Sequence, residues 1–125
     1  MPFTQTIRIL GAAVLAAGCG GSSGAAREEF NAVALEARAQ EGEVVLKQAF
    51  TLQQAYLAEH QRYAATLAEL QAVGWEDPPG LQFHQAPRVV RATGEQLCMV
   101  IEPVQDELWP QHVDQTGQVR RGACP

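Results

Sequence analysis

Few side chains in this 125-residue chain have the type and spacing that chemistry requires, which is convergence on one point. Ser22 and Ser23 are hydroxyls in an open, small-residue stretch, but no histidine lies near them in sequence, so a hydrolytic triad lacks a base. Glu59 and His60 adjoin one another on a predicted helix, where neighbours at i and i+1 point apart, so both are expected to face solvent. Asp106 and Glu107 fall in a predicted loop and are either solvated carboxylates or cation ligands. They lack the D-x-D-x-D-G spacing of a calcium loop. His60, His84 and His112 stand apart, none with a second ligand at helical or hairpin spacing, and no CxxC occurs. No metal site, no cofactor and no catalytic residue are expected, and the pattern points away from an enzyme.

The remaining reactive groups are the thiols of Cys19, Cys98 and Cys124. Arg8 precedes an apolar run, Ile9 to Ala17, that is too short to span a bilayer as a finished helix. The run closes on Leu15, Ala16, Ala17, Gly18 and Cys19. Small residues before a cysteine resemble the lipobox of bacterial lipoproteins, although Ala16 stands where leucine is commoner. The resemblance implies that residues 1–18 are a signal peptide cut just before Cys19 and that the Cys19 thiol carries diacylglycerol. The mature chain would then be a membrane-anchored lipoprotein of the bacterial cell envelope, facing the periplasm or the exterior. Two or three acyl chains anchor stably where one is marginal. A secretory signal with an unrelated cysteine is the alternative.

With Cys19 carrying lipid, Cys98 and Cys124 form an even pair in an exported chain, which reads as one disulfide. It would close a loop of about 25 residues and contribute on the order of 3 kcal/mol in the chain-entropy account. A metal site or a reactive thiol are the competing readings. Formal net charge is −5, and removing residues 1–18 deletes one charged side chain, Arg8, leaving −6. That sign excludes phosphate-driven binding of nucleic acid, since Arg120 and Arg121 make one basic pair and not a patch.

The positioning elements follow from periodicity. Gly20, Gly21, Ser22, Ser23 and Gly24 are too small and polar to pack, so residues 19–24 are expected to be a flexible tether to the lipid. Residues 25–125 then form one α+β domain. From Ala25 to Gln40 the residues are helix formers, with Glu28 and Glu29 expected in the first turn, where the helix dipole favours them. Phe30, Val33, Ala34 and Ala37 make a weak apolar stripe. Gly42 costs about 1 kcal/mol relative to alanine in a helix interior, so either one long helix with a soft point or two collinear helices are expected. Val45, Ala49, Leu52, Tyr56 and Tyr63 recur at three, four or seven residues and give the main helix an apolar side that needs a sheet to cover it.

The helix is expected to end between His60 and Tyr63. Thr66 and Glu69, at N-cap and N3, predict a capping box that opens a short second helix, stopped by Gly74. Trp75 is expected to lie on the main helix as a lid. EDPPG, residues 76–80, forbids helix and leads to candidate strands Leu81 to Ala86, Arg88 to Thr93 and Leu97 to Glu102. The last is apolar on both faces and is expected to be central, with Pro103 ending it. Asp114 and Gly117 mark a type I turn that sets His112 and Val113 opposite Val119 and Arg120.

A long N-terminal helix, a helical turn ending in Gly-Trp, three or four antiparallel strands and a late disulfide loop resemble the globular part of type IV pilins and pseudopilins. The phrases that carry the likeness are VVLKQAFTLQQAYLAEHQRYAATLAELQAVGW, Val44 to Trp75, and VDQTGQV, Val113 to Val119. The resemblance covers about two thirds of the chain. It implies an α+β fold in which the long helix packs on a small antiparallel sheet, with one C-terminal disulfide. The chain departs from the family where a pilin has an apolar membrane-spanning helix, because residues 27–43 carry Arg27, Glu28, Glu29, Glu36, Arg38, Glu41 and Glu43. Such a segment cannot span lipid, and burying those charges without partners would be prohibitive. The implied protein is a pilin-like head on a lipid anchor, an interaction or structural component for which an accessory role in a pilus or secretion assembly is one expectation. Envelope proteins would bind its sheet edge or the loop around Trp109, a residue that alternatively covers the disulfide. A small-ligand binder or enzyme with a pocket between Trp75, the helix and the sheet is the second reading.

Overall fold

A single α-helix, α1 (Ser23–His60), runs without interruption through Gly42. It belongs to a computed structural model that describes residues 23–125, with side chains from Ala26 onward. The expected signal peptide 1–18, Cys19 and residues 20–22 of the expected tether lie outside the described residues, while Ser23 and Gly24, expected in that tether, belong to α1. Because α1 begins at Ser23, Glu28 and Glu29 fall in its second turn, beyond the strongest reach of the dipole. Gly42 is no soft point. A Cβ there would lie 2.8 Å from His84 Nε2 and 2.9 Å from Gln111 Nε2, so glycine is required by a close approach.

After α1 the chain turns through Gln61, at φ 56°, and a short loop brings Tyr63 and Ala64 into the core. Buried Gln53 fixes this loop twice: Nε2 donates to the Ala64 carbonyl at 2.9 Å, and Oε1 accepts from Ala64 N at 2.8 Å. Helix α2 (Leu67–Leu70) is capped by Thr66, whose Oγ1 accepts from Glu69 N at 3.2 Å. The reciprocal half of the predicted box differs. Glu69 reaches past Thr66 to accept from Ala65 N, because its other oxygen is engaged by Tyr56 and Arg62. A 3₁₀ turn (Gln71–Val73) follows and stops at Gly74, in the left-handed region at φ 107°. Trp75 is then buried in the same core cluster as Leu46 and Leu70 of the two helices, as the lid reading expects.

The sheet has four antiparallel strands in sequence order: β1 (Arg88–Thr93), β2 (Gln96–Ile101), β3 (Gln111–Asp114) and β4 (Val119–Arg121). Leu97, Met99 and Ile101 of β2 and Val113 of β3 pack into one cluster with Val45, Leu46, Ala49 and Tyr56 of α1. Cys98 and Val100 of β2 are also buried, although among the described residues no second helix covers that face. The C-terminal segment covers it instead. Cys124 bonds Cys98, Gly122 O accepts from the His112 ring, and Arg91 holds the Pro125 carbonyl at 2.7 Å. The β1–β2 hairpin turns on Gly94, at φ 58°, and the β3–β4 turn closes with Gly117 N donating to Asp114 O. His112 and Val113 face Arg120 and Val119, the register expected from sequence.

Residues Leu81 to Ala86 form no strand. They make one bridge, His84 to Pro103, with Gln85 N donating to Glu102 O and Val104 N to Phe83 O. The physical reason is on α1: the Glu41 carboxylate accepts from the backbone of both Gln82 and Phe83, diverting the donors a ladder would use.

Candidate functional site

Two of the expected site residues are joined as predicted. Cys98 and Cys124 form a disulfide with Cα atoms 6.1 Å apart and a sequence separation of 26. Cys19 lies outside the described residues. Trp109 is half-buried, with the Arg121 guanidinium 3.4 Å from its ring centroid. Arg121 in turn donates to Glu36 Oε1 on α1 at 3.0 Å. The indole is one layer of a clamp that ties the 103–110 loop and β4 to the helix, and it does not project freely as an anchor. Asp106 and Glu107 are exposed, and Glu107 lines a cleft of about 430 Å³ with Asn31, Ala34 and Arg38.

The three histidines have separate fates. His60 stacks on Tyr56 at 4.1 Å and sits 3.9 Å from Glu59, with both groups exposed. His112 Nδ1 lies 2.9 Å from Gly122 O. His84 is fully buried, and its Nδ1 is 3.1 Å from Glu41 Oε1. Since an ionised carboxylate only accepts, Nδ1 donates to Glu41, and Nε2 is buried without a hydrogen-bond partner. Burial pushes the Glu41 carboxyl up, but the backbone donors of Gln82 and Phe83 together with His84 outweigh it and hold the group below its ordinary range.

A carboxylate orienting a histidine through Nδ1 has the outline of a general-base dyad. Here the free Nε2 faces the α1 backbone at Gly42, with no space for a substrate atom. Beside it Gln111 Nε2 donates to Ala39 O at 2.8 Å. The arrangement is a polar clasp between α1, the 81–87 segment and β3. Sequence reasoning missed it because Glu41 and His84 are 43 residues apart, and Gly42, its visible trace, has another ordinary meaning in a helix.

A second cluster locks the far end of α1. Glu69 Oε2 accepts from Tyr56 Oη and Arg62 Nη2, each at 2.6 Å. The Arg62 guanidinium first, and the Tyr56 hydroxyl second, hold the Glu69 carboxyl at about 2. Asp114 is lowered by the Thr116 hydroxyl and backbone N–H inside its turn.

Among the described residues, three of the open surfaces bear on a binding role. An open groove of about 540 Å³ runs between α1 and the 74–79 turn, lined by Thr51, Leu52, Trp75, Glu76 and Pro78. The sheet does not contribute to it, and the Trp75 indole N–H is already donated to Asp77 at 3.1 Å. The outer strand β1 has an irregular register between Val89 and Arg91 that leaves Val90 exposed, which blunts it as an edge for strand addition. The third surface is the solvent side of α1, where Phe30, Val33 and Val44 are 72%, 67% and 55% exposed.

Among the described residues no group of three or more histidine, cysteine or acidic side chains is placed to hold a metal, and no helix is long and apolar enough to cross a membrane. No protein-family model matches the chain, and neither curated proteins nor solved structures yield a match.

Proposed function

We propose that this protein is a lipid-anchored interaction module of the bacterial cell envelope, with a pilin-like head held near the membrane by Cys19 and serving a pilus or secretion assembly. The observation that carries the reading is the start of α1. All side chains from Ala26 to Val33 are exposed, so the helix leaves the domain as a rod directly after the stretch that resembles a lipobox. Its charges, including Arg27, Glu28 and Glu29, suit it to the aqueous side of a membrane and not to the hydrocarbon. A binding role is supported over a chemical one because Gln53, Gln111 and the half-buried Glu41 are engaged in joining elements: Gln53 to Ala64, Gln111 to Ala39 and Glu41 to the backbone of Gln82 and Phe83.

Membrane fractionation of the chain and its Cys19→Ser variant tests the anchor. The variant is expected to leave the membrane fraction while keeping its disulfide and its helical circular dichroism. Unchanged fractionation of Cys19→Ser would contradict the proposal.

A further inference from the structure

Arg38 is a half-buried cation on α1 that the fold leaves without a counter-ion. Along the helix one acid is in phase with it, Glu41 at i+3, and both oxygens of that carboxylate are engaged by Gln82, Phe83 and His84. The loop after β2 brings two more acids, Asp106 and Glu107. The side chain it offers to Arg38 is nevertheless the neutral Gln105, whose Oε1 accepts from Arg38 Nη1 at 3.2 Å. The Phe83 ring centroid lies 5.5 Å from the guanidinium carbon. These two neighbours fix the plane of the guanidinium, and neither cancels its charge.

Arg38 borders the cleft of about 430 Å³ between α1 and the 103–110 loop. The helix wall is Asn31, Ala34, Leu35 and Arg38, and the loop wall is Gln105 and Glu107. Among the described residues neither Arg38 nor Glu107 has an ion-pair partner, although they carry opposite charges on one cleft. The loop wall is itself held in place, with Val104 N donating to Phe83 O at 2.9 Å and Leu108 N to Gln105 O at 3.3 Å. A volume of this size lies in the range of small-molecule sites, where a few placed polar groups select the ligand. A simple anion would suit Arg38 and be repelled by Glu107, and a simple cation the reverse. A molecule with both charges answers both walls. We propose that this cleft binds a small zwitterion of the α-amino-acid class, with its carboxylate on Arg38, its ammonium on Glu107 and an apolar side chain against Ala34 and Leu35. The site goes beyond the interaction-module reading and does not depend on the anchor.

The test titrates the full chain carrying Cys19→Ser with three probes of one shape, followed by nuclear magnetic resonance at millimolar concentration. The probes are L-leucine, L-leucine amide, which lacks the carboxylate, and isocaproate, which lacks the ammonium. L-leucine is expected to move the amide signals of residues 31–38 and 105–107 and to bind about tenfold more tightly than either of the others, the effect of losing one charge-assisted contact. Arg38→Gln should make L-leucine and its amide equal, and Glu107→Gln should make L-leucine and isocaproate equal. Absence of shifts with L-leucine, equal affinity for all three probes, or preferences that survive the two substitutions would overturn the proposal. Isocaproate binding as tightly as L-leucine would overturn it too, by making the cleft a site for simple carboxylates. If Arg38→Gln loses its helical circular dichroism, the comparison of the three probes on the parent chain decides alone.

Discussion

On its inner side α1 presents Leu46, Ala49 and Gln53, all fully buried, whereas on its outer side the same helix presents Phe30, Val33 and Val44, all more than half exposed. Over the stretch that covers the sheet the outer side is polar, with Lys47, Gln48 and Thr51 exposed, while the inner side adds Val45 and Tyr56 to the core, so hydrophobic content selects the side that faces the sheet. Polar groups of long sequence reach reinforce that choice. Glu41 gathers the 82–84 backbone, Gln111 caps the Ala39 carbonyl, and Gln53 receives the loop after the helix. Each binds the inner side to a distant segment, and none has a counterpart on the outer stripe. The inner side is thereby tied to the rest of the fold, and the stripe of Phe30, Val33 and Val44 stays open to solvent.

The largest predicted effect contrasts two neighbouring positions. Leu46→Ala should lose about 2–5 kcal/mol through a cavity in the core, while Val44→Ala should stay within about 0.5 kcal/mol. Urea denaturation of the two variants measures the difference. Next is Gly42→Ala. The added methyl gains about 1 kcal/mol of helix propensity but meets His84 and Gln111 below 3.0 Å, so a net loss of about 1–3 kcal/mol is expected. A stabilised Gly42→Ala variant would remove the clasp from the account.

The smallest effect is one of pH. The folded pKa of Glu69 lies at about 2, below the ordinary carboxylate value of about 4.3. A lowered folded pKa contributes stability that is complete above the unfolded value and lost as pH falls through the folded one. Stability should therefore decline from about pH 5 toward pH 2, with Glu41, also lowered, acting in the same direction. Glu69→Gln should flatten that decline, checked by denaturation midpoints at several acidic pH values. An unaltered acid profile in Glu69→Gln would mean that its bonds to Arg62 and Tyr56 do not form in solution.

Features governed by near neighbours were legible before any coordinates: the Thr66 cap, the Gly74 stop with Trp75 behind it, the doubly apolar β2 and the Asp114–Gly117 turn. Each depends on a few consecutive residues whose local energetics decide the conformation. The clasp was not legible, because nothing near His84 reveals a carboxylate on another element, and the expected strand at 81–86 failed for the same reason. Trp109 could be assigned a surface loop but not the Arg121 and Glu36 layers, with 85 residues separating the last two. The stripe of Phe30, Val33 and Ala37 was visible as periodicity. Its opposition to the core side appeared only once α1 proved continuous through Gly42, which fixes the phase between the two ends of the helix.

The central claim, that the outer side of α1 is dispensable for the fold, is tested most directly by the unfolding free energy of the Phe30→Asp, Val33→Asp double variant. The account predicts a value within about 0.5 kcal/mol of the parent chain with the same denaturant slope, as for surface positions away from a packed core. A loss on the scale of Leu46→Ala would contradict it, because those side chains would then be packed within the folded protein.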